Sequence, residues 1–275
     1  RQKIDQMICE RLGLTDHPID LSDWQQIIET IKNPKGVVNI AVVGKYVQHK
    51  DAYKSVFEAL AHAANSLGYQ LEVTPFESDK IVENDALMEE VRKFDGYLVP
   101  GGFGERGWTG KILTARYCRK NKIPFFGICL GMQVMVVEFA RDVLKLSEAN
   151  STEFDPVTSE PVISLLSEQR QVVEMGGTMR LGNFPCRLKD GSIARQAYGA
   201  EIIQERHRHR YEFNNKYLSA FEKAGLVVSG WLEDQSLCEI TEIEDHPWMV
   251  GVQFHPEFKS KPTAAHPLFR SFVQA

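Results

Sequence analysis

A chain of 275 residues that is 43% hydrophobic and 25% charged, with a formal net charge of -5, holds enough apolar side chain for a full core. That balance excludes a disordered polymer, a fibrous repeat and a surface built to coat nucleic acid. Its five cysteines, Cys9, Cys118, Cys129, Cys186 and Cys238, are scattered, odd in number and free of C-x-x-C spacing. Neither a disulfide framework nor a structural zinc site is expected, and reduced thiols point to the cytoplasm. The opening RQKIDQMICERLGL is too polar for a signal peptide, and no run approaches the roughly 20 apolar residues of a membrane span, so no membrane partner is expected.

In chain order, PIDLSDWQQIIETIK (18–32) reads as a short amphipathic helix, with Ser22 as N-cap and Gln25 three residues on in a capping box. NPKG at 33–36 ends it. From there strands and helices alternate. VVNIAVVG (37–44) reads as a strand, and residues 51–67 set Tyr53, Val56, Phe57, Leu60, Ala64 and Leu67 at helical spacing. QLEVTPF is a strand, followed by a helix at about 86–94, the strand GYLVP (96–100), a helix at about 110–120, the strand IPFFGI (123–128) and a helix opening at Leu130. Such alternation means parallel pairing with helices on both faces, and short apolar strands such as IAVV and FFGI suit a doubly covered sheet. The expected class is α/β, an open, mostly parallel, doubly wound sheet, flavodoxin-like in its winding. After Asn150 the pattern turns strand-rich (PVISLL, TMRLG, IIQERHRHRYEF, LVVSGWL, SLCEITEI, MVGVQF), with helices near 192–198 and 215–224. AAHPLFRSFVQA closes the chain as a helix.

Cys129 lies in GICLGMQ (127–133), where the strand IPFFGI meets the next helix. Open α/β sheets bind ligands beyond the carboxyl ends of their strands, so topology alone presents this side chain to a crevice. Gly127-x-Cys129-x-Gly131 has the form of a nucleophile elbow, a sharp turn in which glycines let strand and helix approach closely. A helix N-terminus there favours the thiolate. A buried structural cysteine in a tight turn is the alternative, and these seven residues alone leave it open.

A thiol nucleophile needs a base and a group to orient that base. GVQFHPEF offers His255 and Glu257, two residues apart around Pro256, on the same side of an extended chain at the end of the strand MVGVQF. A surface turn is the plainer reading of that segment by itself. In VPGGFGERG, Gly102, Gly104 and Gly107 fit G-x-G-x-x-G, but on the third strand and without the acidic residue a dinucleotide site needs. Gly101 and Gly102 serve better as a backbone N–H donor toward Cys129, with the N–H of Leu130 as second donor to an oxyanion. His207 and His209 in RHRHRYE (206–212) form an H-x-H pair, but no third ligand is spaced nearby and no metal is expected. The arginines of that run suit a local anion site, and no nucleic-acid partner is expected of an acidic chain.

Together, Cys129 in GICLGMQ, His255 and Glu257 in FHPEF, and the PGGFG turn resemble the triad (class I) glutamine amidotransferases over residues 37–275. Within that family, NSTEF (150–154), MGGTMRLG (175–182) and ERHRHRYE (205–212) are similar to the glutaminase domains of CTP synthases. The resemblance implies that residues 1–36 are a linker with an N-terminal helix, following a synthetase domain outside this chain, and that 37–275 are the glutaminase domain. It implies attack of the Cys129 thiolate on the amide carbon of L-glutamine. His255 would give its proton to the departing ammonia and then activate water, Glu257 would hold the imidazolium, and the N–H groups of Gly102 and Leu130 would stabilise the oxyanion of a glutamyl-thioester route. The implied substrate pocket is Gly102, Leu130, Gln133, Glu153 and Arg210, with Glu153 toward the ammonium and Arg210 toward the carboxylate.

The family also implies no cofactor in this domain. ATP and Mg2+ belong to the synthetase domain, to which ammonia would pass for amination of UTP to CTP. Consistent with that division, the chain has no G-x-x-x-x-G-K-[ST] loop. GTP is the implied effector, the full-length family enzymes are homotetramers, and this chain alone can be monomeric. SLLSEQRQVVEMGGTM is shorter than the usual family stretch. Another triad glutamine amidotransferase, or a cysteine hydrolase like the γ-glutamyl hydrolases, is the alternative. A binding module that has lost activity is disfavoured by the intact Cys129, His255 and Glu257.

Overall fold

The computed structural model describes residues 3–15, 19–45, 51–81, 93–165 and 179–275. Its elements in chain order begin with α1 (Ile4–Leu12), α2 (Ser22–Lys32), β1 (Val37–Gly44), α3 (Lys54–Leu67), β2 (Gln70–Glu77) and β3 (Gly96–Val99). Next come α4 (Trp108–Asn121), β4 (Phe125–Ile128), α5 (Leu130–Asp142), β5 (Ala149–Ser151), β6 (Glu160–Ser164) and β7 (Arg180–Leu188). The last are α6 (Ile193–Tyr198), β8 (Ile202–His209), β9 (Glu212–Phe213), α7 (Leu218–Lys223), β10 (Leu226–Leu232), β11 (Cys238–Ile243), β12 (Met249–Val252) and α8 (Pro267–Gln274).

Among the described residues the main sheet has nine strands in the order β2-β1-β3-β4-β12-β11-β10-β7-β8. Pairing is parallel from β2 through β12 and antiparallel from β12 to β8. The strand-rich C-terminal part therefore mostly extends the doubly wound sheet, and only β5, β6 and β9 form a second one. Alternation along β1 divides the core. Ile40 and Val42 pack with α3 and α8, whereas Ala41 and Val43 pack with α4 and α5. Period-2 side chains on a strand covered on both faces explain why VVNIAVVG reads as a continuous apolar run.

Three sequence expectations need comment. Ser22 does not cap α2: the cap position is Leu21, without a side-chain bond, and the Asp20 carboxylate instead accepts from the Ser22 N–H at 2.9 Å. An Asx turn starting two residues earlier, at Asp20, has taken the donor that the capping box would have used. IIQERHRHRYEF, expected as one strand, breaks at Arg210 and Tyr211, because β8 pairs with β7 in the main sheet while β9 pairs with β6 in the second. The helix at 86–94 falls largely outside the described residues.

The amphipathic reading of α2 holds, yet its apolar side is uncovered: Trp24, Ile28 and Ile31 are exposed, as are Ile4, Met7 and Ile8 of α1. Among the described residues no helix is long and apolar enough to cross a membrane.

Candidate active site

Strand order brings together motifs far apart in sequence. β3, β4 and β12 are neighbours, so the residues following Val99, Ile128 and Val252 emerge side by side at the carboxyl ends of three inner strands. These are Gly101 and Gly102, Cys129, and the segment leading to His255. The Cys129 N–H donates to the Val252 carbonyl at 2.7 Å, which ties the turn to β12. Cys129 itself has φ 52° and ψ −102°, a left-handed backbone that a side-chain-bearing residue adopts only under constraint.

Glycine is required on both sides of that turn. A Cβ on Gly131 would lie 2.1 Å from the Val99 carbonyl oxygen, and one on Gly127 would lie 2.5 Å from the Gly131 carbonyl oxygen. A Cβ on Gly101 would lie 2.7 Å from Cε1 of His255. The elbow is thus a steric consequence of strand and helix in contact.

His255 Nδ1 lies 2.8 Å from Glu257 Oε1, and both side chains are largely buried. Burial acts against a charge on His255, but the adjacent Cys129 thiolate and the Glu257 carboxylate outweigh it and raise the imidazole to about 10. The ring is therefore an imidazolium at neutral pH. Leu130 is the first residue of α5, whose N–H has no acceptor four residues back within the helix. It lines, with Gly102 and Cys129, a cavity of about 380 Å³.

That cavity gathers the remaining expected residues: Gln133, Glu153 and Arg210 line it too. Glu153 Oε1 accepts from the Gly104 N–H at 2.9 Å. Burial raises the Glu153 carboxyl, while Gly104, Lys45, Arg210 and Lys111 act in the opposite direction. Gln133 Nε2 donates to the Tyr211 carbonyl at 3.2 Å. On the other side of Cys129 a second cavity of about 220 Å³ is bordered by Tyr53, Gly101, His255 and Phe258. The sulfur therefore stands between the pocket lined by Glu153 and Arg210 and the base.

Sequence reasoning missed several neighbours. Gln253 Nε2 donates to Cys129 Sγ at 3.7 Å, and its place two residues before His255 at a strand end was a usable signal. Lys45 Nζ donates to the Phe103 carbonyl and, at 3.4 Å, to that of Gly104, holding the glycine loop. Lys111 is buried in α4, and burial together with Lys45 lowers its amine to about 8. Nothing in its helical context announces that. His207 and His209 hydrogen-bond to each other at 2.9 Å, and among the described residues no group of His, Cys, Asp or Glu is arranged to hold a metal.

An open α/β sheet with a cysteine elbow, an adjoining His–Glu pair and an amino-acid-sized cavity has the layout of a cysteine hydrolase. The model of the class-I glutamine amidotransferase family matches residues 48–275, and the chain belongs to that family. Within it, the chain is similar to the CTP synthase of Protochlamydia amoebophila (strain UWE25), 63% identical over all of this chain, and to that of Aquifex aeolicus (strain VF5), 51% identical. It covers 51% of each, so the chain spans about half the length of the curated relatives it matches. Among solved structures, the Trypanosoma brucei CTPS glutaminase domain with bound acivicin aligns with a TM-score of 0.81 and 38% identity, covering 86% of this chain and 92% of that one. The particular branch is therefore the glutaminase domain of the CTP synthases.

Proposed function

We propose that this chain hydrolyses L-glutamine to glutamate and ammonia with Cys129, His255 and Glu257. The observation that carries the reading is the placement of His255, bonded to Glu257 at 2.8 Å and adjoining Cys129, which lines the 380 Å³ cavity. The thiolate attacks the amide carbon, and the C=O electron pair moves onto oxygen, where the N–H groups of Gly102 and Leu130 receive it. Collapse expels ammonia as His255 supplies the proton, leaving a glutamyl thioester. The neutral imidazole then takes a proton from water, hydroxide adds to the thioester, and glutamate leaves as the thiolate re-forms. Glu257 fixes the ring throughout.

A zwitterionic amino acid needs opposite charges at its α-end, which supports Glu153 for the ammonium and Arg210 for the carboxylate. Gln133 completes the pocket. The trypanosomal glutaminase domain holds bound acivicin, which supports a small-molecule site in this domain.

The relatives' length supports a partner beyond residues 37–275, a synthetase portion that receives the ammonia for amination of UTP to CTP. ATP and Mg2+ are proposed for that portion, together with regulation by GTP and tetramer formation. Residues 1–36 are read as the linker to it, and the exposed apolar side of α1 and α2 as a surface it covers. The cytoplasm is the proposed location.

The decisive experiment combines ammonia release from free glutamine with trapping by a diazo-ketone glutamine analogue. Expected are an adduct on Cys129 by mass spectrometry and no ammonia release from Cys129→Ala. An adduct elsewhere, or wild-type hydrolysis by that variant, overturns the reading.

A further inference from the structure

The proposed reaction leaves a buried polar cluster behind Arg210 unused. β8 turns Glu205, His207 and His209 inward at alternate positions, and all three are buried. His207 Nδ1 lies 2.9 Å from His209 Nε2, and His209 Nδ1 lies 3.3 Å from the Tyr211 carbonyl and 3.4 Å from Glu212 Oε1. At the far end, His207 Nε2 lies 3.4 Å from Glu239 Oε2. Arg180 donates to Glu239 Oε1 at 2.6 Å and to Glu212 Oε1 at 3.5 Å.

Burial makes both rings neutral, with Arg180 and His255 acting in the same direction; His207 is lowered to about 2 and His209 is lowered well below its ordinary value. Burial also raises Glu239, and it raises Glu212 to about 8. Neutral rings fix the direction of the hydrogen bonds. A carbonyl oxygen only accepts, so His209 Nδ1 must carry the hydrogen and its Nε2 must be the acceptor. His207 then donates from Nδ1, and its Nε2 presents a lone pair to the Glu239 carboxyl.

This chain of bonds ends on the Tyr211 carbonyl, which also receives the Gln133 amide at 3.2 Å. Arg210 and Tyr211 are the two residues between β8 in one sheet and β9 in the other, so that carbonyl is where the crossing is tied down. His209, Arg210, Tyr211 and Gln133 line the same cavity. We propose that His209, oriented by His207, is a positioning residue for glutamine binding, holding the Tyr211 carbonyl and through it the Arg210 side of the pocket. This assignment rests on the glutaminase reading.

The test compares His209→Asn with His209→Gln on the full chain. Asparagine places an amide N–H near the Nδ1 position and keeps the bond to Tyr211; glutamine places it near Nε2 and loses that bond. His209→Gln should raise the glutamine KM by about tenfold while kcat at saturation stays within about threefold of wild type, and His209→Asn should keep KM within about threefold. Equal KM values in two variants that melt like wild type overturn the proposal, as does an equal fall in kcat for both. Should neither variant fold, nitrogen NMR of labelled histidine in the wild type decides: an Nδ1–H tautomer at His209 supports the proposal and an Nε2–H tautomer overturns it. Wild-type ammonia release in the same assay separates failure of this network from failure of the functional reading.

Discussion

His255 carries the site's electrostatics, because two opposed effects meet on one ring. Burial alone would lower it from 6.5, whereas the thiolate and carboxylate beside it raise it to about 10. A folded value above the unfolded one means that the ion pair's contribution to stability is complete below about 6.5 and is lost as pH rises through about 10. Removing the thiolate leaves Glu257 to oppose burial alone. In Cys129→Ala the His255 value, followed by NMR titration of its ring carbon, should therefore fall well below that of wild type. An unchanged titration would show that Cys129 is not the counter-ion. The triad was legible in the sequence because each member sits in a short motif with its own steric or geometric logic. Lys111 was not legible, because its importance comes from what the fold packs against it, and Gln253 had only its place two residues before His255 to mark it.

At the scale of elements, the elbow works because α5 presses on the end of β3. A methyl group at Gly131 would meet the Val99 carbonyl at 2.1 Å, and backbone cannot swing aside as a side chain can. Overpacking of this kind costs about 1–3 kcal/mol, and it falls on the turn that sets Cys129. Gly191 is a control: it has φ +77°, but a Cβ there meets nothing within 4 Å. Gly131→Ala should lower both Tm and kcat/KM, whereas Gly191→Ala should lower Tm alone, as read by calorimetry and ammonia release. Equal losses of activity in the two would refute the spacing argument. The glycine pattern announced this element, but the break in IIQERHRHRYEF did not announce itself. Its alternation runs unbroken through Arg210, and only pairing with two different sheets divides it.

For the whole molecule, alternating strands and helices made the parallel half of the sheet readable, while the antiparallel extension depended on long-range pairing that no local pattern encodes. The same contrast applies to α2. Its periodicity showed an apolar side, but could not show that Trp24, Ile28 and Ile31 stay exposed among the described residues. The chain spans about half the length of its relatives, and the proposed occupant of that surface is the synthetase portion. Replacing Trp24 by Glu should then leave Tm and ammonia release of this chain alone unchanged, since exposed substitutions usually shift stability by less than about 0.5 kcal/mol. Binding to a separately produced synthetase portion should weaken by about 2 kcal/mol or more, because a large aromatic anchor would be lost. Titration calorimetry measures this directly, and undiminished binding by Trp24→Glu would place the contact elsewhere on the molecule.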